Sequence, residues 1–573
     1  MSKRIVVDPI TRIEGHLRVE VVVDDKNVVQ EAYSTATLWR GIEKILKGRD
    51  PRDAGFFTQR ICGVCTFSHY KAGIMAVEDA LGIKPPLNAT LTRTLMNAAL
   101  FLHDHPVHFY QLHALDYVDI VSALSADPKK AADEAFKYAA IPYACGADQL
   151  TLVKERVAAF AKRGNLGPFA NAYWGHSTYH LTPEQNLIAL SHYLECLRIQ
   201  RTVAQMMAIF GSKQPHPQSL TVGGVTCVMD LLDPARLGEY LVKFQETADF
   251  INRAYYPDLV MAGKAYANEG SVNKDFGVKN LFTYKEFQTG ANDWLFDSGI
   301  ILNGDISNVI EVDESKIAEE ATRSWYQDNA ALHPYEGKTE PNYTGFKDAE
   351  TIGPDGKPVM SKVIKEDGKY SWVKAPRYDG KPMQVGPLAN IVVNYAKKNE
   401  KVGAVVEKFL KDTGLPVGAV FSTLGRTATR MLEAKVIADH GLEAFNNLVA
   451  NLKVDQSTCA TYTIDKNKTY RGRYIGHVPR GTLSHWVNVK GGVIENYQAI
   501  VPSTWNASPK DAAGQRGSYE ECLVGMKIAD LSKPLEIIRA IHSYDPCIAC
   551  AVHVMDTKGN ELGSHKVAIE QVC

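Results

Sequence analysis

The sequence predicts a mostly α chain, an α+β fold in which a bundle of long helices carries small peripheral β-sheets. Three observations predict it. Long stretches repeat apolar residues at helical spacing, and shorter runs near both ends alternate apolar and polar residues. Residues 268–380 keep little periodicity, yet they retain Trp294, Trp325, Trp372 and many tyrosines. That composition suits loops and small strands packed on a helical body better than a disordered linker.

Residues 4–37 (RIVVD, LRVEVVVDD, VVQEAYSTA) read as short strands around a loop, Pro9–His16. Thr66 or Ser68 is placed to cap a helix running to about Leu81, where Gly82 and Pro85-Pro86 interrupt it. A long helical pattern follows from about Leu91 to Leu124, and Pro106 inside it is expected to kink it or split it in two. Further helices are predicted near 129–140, 147–163 and 183–210. The third opens on Thr182-Pro183-Glu184-Gln185, which offers an N-cap, proline at the first helical position and glutamine at the third. Residues 234–266 are helical again. Helices resume near 387–412 and 424–452. Ser484–Lys490 and Val493–Gln498 then flank Gly491-Gly492, a hairpin signal. Leu535–His542 makes a last short helix leading into the segment that holds Cys547.

The 573 residues suffice for a large buried core; hydrophobic content is 45% and charged content 23%, ordinary for a globular chain. A net charge of -1 gives no reason to expect nucleic acid or a membrane surface as partner. No apolar run approaches the roughly 20 residues that span a bilayer. The N-terminus MSKRIVVDPITRIEGH has neither an apolar core nor a cleavage site of a signal peptide. Export or membrane attachment is therefore expected through a partner.

Of ten cysteines, four form two C-x-x-C pairs, Cys62/Cys65 and Cys547/Cys550. The other six, Cys145, Cys196, Cys227, Cys459, Cys522 and Cys573, are scattered and read as small buried hydrophobes. No further cluster is available for an iron–sulfur centre in this chain. Sulfur ligands suit zinc, nickel, Cu(I) or iron–sulfur clusters. The first pair precedes a predicted helix, whose N-terminal dipole favours thiolate. A structural four-cysteine zinc site is the alternative at this point. Such a site usually draws its pairs from nearby sequence, whereas these come from opposite ends of the chain and the second is closely followed by His553.

RICGVCTFSH and DPCIACAVH together resemble the two metal-binding signatures of [NiFe]-hydrogenase large subunits. DPITRIEGH, RGIEKILKGRDPRDA, HDHPVHFYQLHALDYVD, GPFANAYWGH, VPRGTLSHW and NYQAIVPSTWN resemble the same family in its usual order, across essentially the whole chain. The resemblance implies a single large-subunit domain over 1–553 and a C-terminal extension, 554–573, removed by a dedicated endopeptidase after nickel is inserted by partner proteins. Cysteine at 547 does not indicate the selenocysteine-containing branch.

By position, the resemblance assigns Cys62, Cys65, Cys547 and Cys550 to nickel, with Cys65 and Cys550 also bridging to an iron that carries CO and cyanide. Cys547 becomes a first proton acceptor and Glu14 the next carrier. Arg480 is placed over the open side of the metals, held by Asp104 and Asp545. Pro479 and Ser503 line the pocket of the diatomic ligands. Glu43, the backbone carbonyl of Ala499 and His553 are assigned to a magnesium ion. The implied activity is reversible heterolytic cleavage of H2 to protons and electrons. The implied partners are an iron–sulfur small subunit and, through it, a membrane cytochrome b, on the periplasmic side of the cytoplasmic membrane.

Taken singly, these residues have plainer readings. Glu14 alone is a surface or salt-bridged acid, Arg480-Gly481 a turn, and Glu43 part of a solvated helical face. His103, His105, His108 and His113 are assigned to core and hydrogen-bonding roles rather than to a metal. A hydrogen sensor on the same site is an alternative, although sensors of this family usually lack a cleavable tail. A non-enzymatic scaffold, such as the related subunit of respiratory NADH–quinone oxidoreductase, lacks both cysteine pairs. Residues 551–556 and 562–568 are expected to pair as a hairpin in the precursor.

Overall fold

The computed structural model describes residues 3–138, 145–163, 169, 172–270, 277–327 and 329–548. Cys550, His553 and the C-terminal extension with its expected hairpin lie outside the described residues.

The body is a set of long helices. Helix α1 (Thr66–Leu81) is followed by α2 (Leu87–Val107), α3 (Pro183–Gly211), α4 (Pro234–Phe250), α5 (Pro387–Ala396), α6 (Thr423–His440) and α7 (Leu442–Leu452); α8 (Leu535–His542) ends just before the Cys547 segment. Helices α3, α6 and α7 pack on α2, whose side chains are buried along almost its whole length. Helix α3 begins where predicted, with Thr182 and Gln185 bonding each other's backbone in a reciprocal cap. Helix α1 departs from expectation: its cap residue is Cys65 rather than Thr66 or Ser68, with no side-chain capping bond. Gly82 ends it in the left-handed conformation, as glycine at that position should. Pro106 does not divide α2. The chain passes through it and relaxes into π-type hydrogen bonding over His108–His113, which accommodates the bond that proline cannot donate.

Among the described residues, the two larger sheets frame the body. Strands β1 (Lys3–Val7), β2 (Leu17–Val23) and β3 (Val29–Ala36) form an antiparallel set. Residues β4 (Lys347–Ile352) and β5 (Pro358–Val363) join it in the order β5-β4-β1-β2-β3, with β4 parallel to β1 at Ile5↔Ile352. The irregular region thus closes on the N-terminal sheet. The second sheet is β6 (Thr469–Val478), β7 (Gly481–Lys490) and β8 (Val493–Ile500), antiparallel throughout. The β7–β8 hairpin was predicted and β6 was not. Strand β6 lies against α1 so closely that a Cβ on Gly472 would stand 2.1 Å from the backbone nitrogen of Ala80.

There are two principal cores. The larger belongs to the helices and includes Cys62, Cys65 and Cys547; the other joins the N-terminal sheet to α8 and includes Ile10, Ile541 and Ile548. Consecutive residues 547 and 548 therefore sit in different cores, and the cysteine segment lies along the seam. Among the described residues no helix is long and apolar enough to cross a membrane. The scattered cysteines are buried as predicted, except Cys459, which is exposed beside Gly223 and Ala460; Cys573 lies outside the described residues.

Candidate metal centre

The site starts from two loops at opposite ends of the chain. After β1 the backbone turns through Arg12 and Gly15, both at positive φ, and presents Glu14. After α8, Asp545 takes φ +56 and directs the chain to Cys547. The two loops pair in parallel. The Glu14 N–H donates to the Pro546 carbonyl at 3.2 Å, and the Ile548 N–H donates to the Glu14 carbonyl at 2.7 Å. This short ladder sets Glu14 beside Cys547, whose Sγ donates to Glu14 Oε2 at 3.3 Å.

Cys62 and Cys65 bracket the turn into α1. The backbone N–H groups of Val64 and Cys65 both donate to Cys62 Sγ at 3.2 Å, an arrangement that stabilises negative charge on that sulfur. Cys547 Sγ lies 3.3 Å from Cys62 Sγ and 3.9 Å from Cys65 Sγ, and all three are buried. A tetrahedral ion with metal–sulfur bonds of about 2.3 Å separates its sulfurs by roughly 3.8 Å. The Cys65–Cys547 pair has that spacing, the Cys62–Cys547 pair is about half an ångström shorter, and the three sulfurs converge as soft donors suited to a transition metal.

Arg480 hangs over these sulfurs. It and Pro479 form the two-residue turn between β6 and β7, so the guanidinium stands at the tip of a rigid hairpin. Gly481 follows at φ +125, and any Cβ there would meet the backbone nitrogen of Gly386 at 2.5 Å. Each guanidinium nitrogen is engaged: Nη1 meets Asp104 Oδ2 at 3.2 Å, Nη2 meets Asp545 Oδ1 at 3.0 Å, and Nε donates to the Asp545 carbonyl at 3.1 Å. Burial alone would lower the Arg480 pKa, but Asp545, the Cys547 and Cys65 sulfurs and Asp104 hold it well above its ordinary value. The group is a fixed cation. Burial raises the Asp545 carboxyl against the opposing pull of Arg480 and Arg430.

Ser503 Oγ accepts from the Cys547 N–H at 3.1 Å. A small cavity of about 10 Å³ is lined by Cys65, Cys547, Pro479, Arg480 and Ser503, with His69 on its wall. At a separate position, Glu43 Oε1 accepts from the Ala499 N–H at 2.9 Å, and Thr339 donates to its other oxygen. Nearby Glu319 is pushed up to about 7 by burial, opposed by Lys374 and reinforced by Glu43.

The structure thus brings together Cys62, Cys65, Cys547, Glu14, Arg480, Asp104, Asp545, Pro479 and Ser503, and separately Glu43 with Ala499. Sequence reasoning missed His69, which follows Cys65 at one helical turn and could have been found by that spacing. It also missed Arg430, whose Nη1 donates to the Ser543 carbonyl at 3.0 Å while its Nε stands 3.9 Å from Asp545. The histidines assigned to structure behave so. His105 bonds Glu433 at 2.7 Å, and His108 bonds the His542 carbonyl at 2.8 Å. A second cluster, His113, Asp116 and His542, has metal-like spacing. Its groups are already engaged, because Arg12 meets Asp116 at 2.6 Å, and the outer ring nitrogens meet Thr427 at 2.8 Å and the Thr11 carbonyl at 2.7 Å.

A family model described as nickel-dependent hydrogenase matches residues 40–553, and one described as HoxL-like matches residues 4–37. The chain belongs to the nickel-dependent hydrogenase family. It is 68% identical over 567 residues, covering 99% of this chain and 98% of the relative, to the quinone-reactive Ni/Fe-hydrogenase large chain of Wolinella succinogenes. It is 44% identical, over 99% of this chain and 98% of the relative, to the uptake hydrogenase large subunit of Rhizobium leguminosarum bv. viciae. Among solved structures, the Ni-Fe-Se hydrogenase of D. vulgaris Hildenborough in the reduced state matches with TM-score 0.76 and 32% identity, covering 96% of this chain and 100% of that one. As a hydrogenase large subunit the chain is an oxidoreductase acting on H2, and the family implies a nickel and iron centre. The α+β fold of the family is the one predicted. The structural zinc protein, the sensor and the scaffold are not favoured.

Proposed function

We propose that this hydrogenase cleaves H2 heterolytically at the sulfur cage between the two ends of the chain, and that Cys547 and Glu14 carry away the proton. One observation supports this reading above the others. Cys547 Sγ, one of three converging thiols, makes its hydrogen bond to a carboxylate that comes from the other end of the chain. Cys62, Cys65, Cys547 and Cys550 would hold nickel, with Cys65 and Cys550 shared with an iron bearing CO and cyanide. Such a centre supplies an electron-rich, electron-accepting site for a very weak acid.

The protein's own groups do the rest. Cys547 Sγ holds a proton and passes it along the 3.3 Å contact to Glu14 Oε2. The backbone ladder at Glu14 keeps that donor and acceptor in register, a precondition for efficient proton transfer. Arg480 stays charged and donates from a fixed position, so it orients and stabilises developing negative charge rather than acting as a base. Asp104 and Asp545 aim it. Pro479 and Ser503 wall the pocket of the diatomic ligands. Glu43 and the Ala499 carbonyl, with His553, would hold magnesium; the first two supply the oxygen donors it prefers, and histidine is a less usual ligand for it.

Electrons would pass to an iron–sulfur small subunit, and from there to a membrane cytochrome b on the periplasmic side of the membrane. Residues 554–573 would be removed by a maturation endopeptidase once metal-insertion proteins have loaded the site. The test is metal analysis with infrared spectroscopy of the mature protein. Comparable nickel and iron with bands from metal-bound CO and cyanide are expected, and zinc alone would overturn the reading. Glu14→Gln keeps the shape of the side chain, so it should lose roughly 100-fold or more of the H2 oxidation rate with metal content unchanged.

A further inference from the structure

Behind the sulfur cage runs a buried chain of three side chains that the proposed reaction does not use. His69 Nδ1 lies 3.1 Å from His485 Nε2, and His485 Nδ1 lies 2.6 Å from the Tyr497 hydroxyl. His69 stands on α1, His485 on β7 and Tyr497 on β8, and all three are buried at 1% exposure or less. We infer that Tyr497, acting through His485, fixes the tautomer of His69 so that its Nε2 carries the proton and faces the sulfur cage.

Each buried donor in this chain needs an acceptor. Among the described residues the Tyr497 hydroxyl has one hydrogen-bond partner, His485. If the hydroxyl accepted from a protonated Nδ1, its own proton would be left buried without an acceptor, a costly state. It therefore donates, and Nδ1 of His485 is bare. A neutral imidazole carries one proton, so His485 is protonated on Nε2 and donates to His69 Nδ1. His69 in turn carries its proton on Nε2. Both rings are neutral by the same count, since Nδ1 of each accepts a hydrogen bond and is bare. With Nδ1 engaged behind it, Nε2 is the nitrogen His69 turns toward the cavity it lines with Cys65 and Cys547. An N–H aimed at sulfur stabilises thiolate and withdraws electron density from whatever the thiolate binds. Tyr497 and His485 are positioning residues, and His69 is the donor they set.

Neutron diffraction on perdeuterated protein tests the direction itself. Deuterons are expected on Nε2 of both histidines and on the tyrosine oxygen. A deuteron on Nδ1 of either ring overturns the inference. The consequence for the metals rests on the nickel–iron reading and is tested by infrared spectroscopy of purified Tyr497→Phe, His69→Phe and His69→Gln. Removing the donor makes the thiolates more electron-releasing, so the CO band should move to lower wavenumber in His69→Phe and in the same direction in Tyr497→Phe. His69→Gln, which keeps an N–H, should hold the band near its original place. A band that moves in His69→Phe and stays fixed in Tyr497→Phe overturns the lock. Absence of any CO band in the unmodified protein refutes the nickel–iron reading and leaves the neutron result to decide the tautomer.

Discussion

Glu520 offers a stability prediction whose sign and size follow from its surroundings. Its side chain is fully buried, and Oε1 accepts from the Ser34 N–H at 3.0 Å and from the Tyr370 hydroxyl at 2.9 Å. Oε2 has no hydrogen-bond partner among the described residues. Burial pushes the carboxyl from the ordinary 4.5 up to about 8, against the two hydrogen bonds and the charges of Lys510 and Arg377. A raised carboxyl binds its proton more tightly in the folded state, so stability is lost as pH rises from 4.5 toward 8. At about 1.4 kcal/mol per unit of pKa, the full loss is on the order of 5 kcal/mol, and about 2.5 kcal/mol of it falls between pH 5 and 7. Glu520→Gln keeps the acceptor at Oε1 and removes the ionisation. The variant should match the parent near pH 5 and exceed it by several kcal/mol near pH 8. The assay is paired urea denaturation at both values, read as the difference between variant and parent because a chain of this size need not unfold in two states. A difference that is the same at pH 5 and pH 8 would refute the assignment of a protonated buried acid.

Two further perturbations probe the centre. Arg480→Lys keeps one positive charge, but a single ammonium cannot reach Asp104, Asp545 and the Asp545 carbonyl together, so H2 oxidation should fall about 100-fold with nickel and iron still bound; a fall of less than threefold would mean that charge alone suffices. Asp116→Ala takes the ion-pair partner from the half-buried Arg12 guanidinium, leaving it the Leu112 carbonyl, and removes the shared partner of His113 and His542. Breaking such a pair costs about 3–5 kcal/mol, and a melting temperature equal to that of the parent would show that the cluster does not hold the two loops.

The helices and the site were legible to different degrees for different reasons. Helix ends such as Thr182 and Gly82 carry local chemistry, so α3 and the end of α1 could be placed from a few residues. The start of α1 could not, because its cap is Cys65, a residue chosen for its sulfur and not for capping. Strand β6 was missed because it is buried against α1 and needs Gly472 for that approach, leaving no regular alternation to read. The pairing of β1 with β4 is set by residues about 350 apart in sequence, and nothing local announces it. The cysteine pairs were readable because motif and chemistry coincide. Arg430, His485 and Asp116 were not, because their partners come from elements far away in the chain.

Three thiols and the carboxyls of Glu14, Asp104 and Asp545 converge on the guanidinium groups of Arg480 and Arg430 at a seam between two cores. If all the acids ionised there, negative charge would outnumber positive in a buried region, which costs several kcal/mol per uncompensated ion. The folded chain has two ways to reach balance: the thiols keep their protons, or cations replace them. A soft divalent ion does the second and releases protons as it binds, so its binding free energy adds to the stability of the fold. The two backbone hydrogen bonds between the Glu14 and Cys547 loops act together with the core that Ile10, Ile541 and Ile548 share and with the Arg12–Asp116–His542 cluster. Metal loading therefore adds to the stability of a site whose two loops the fold already brings together. This also accounts for why a centre of this kind is drawn from both ends of a 573-residue chain: only the completed fold can assemble it.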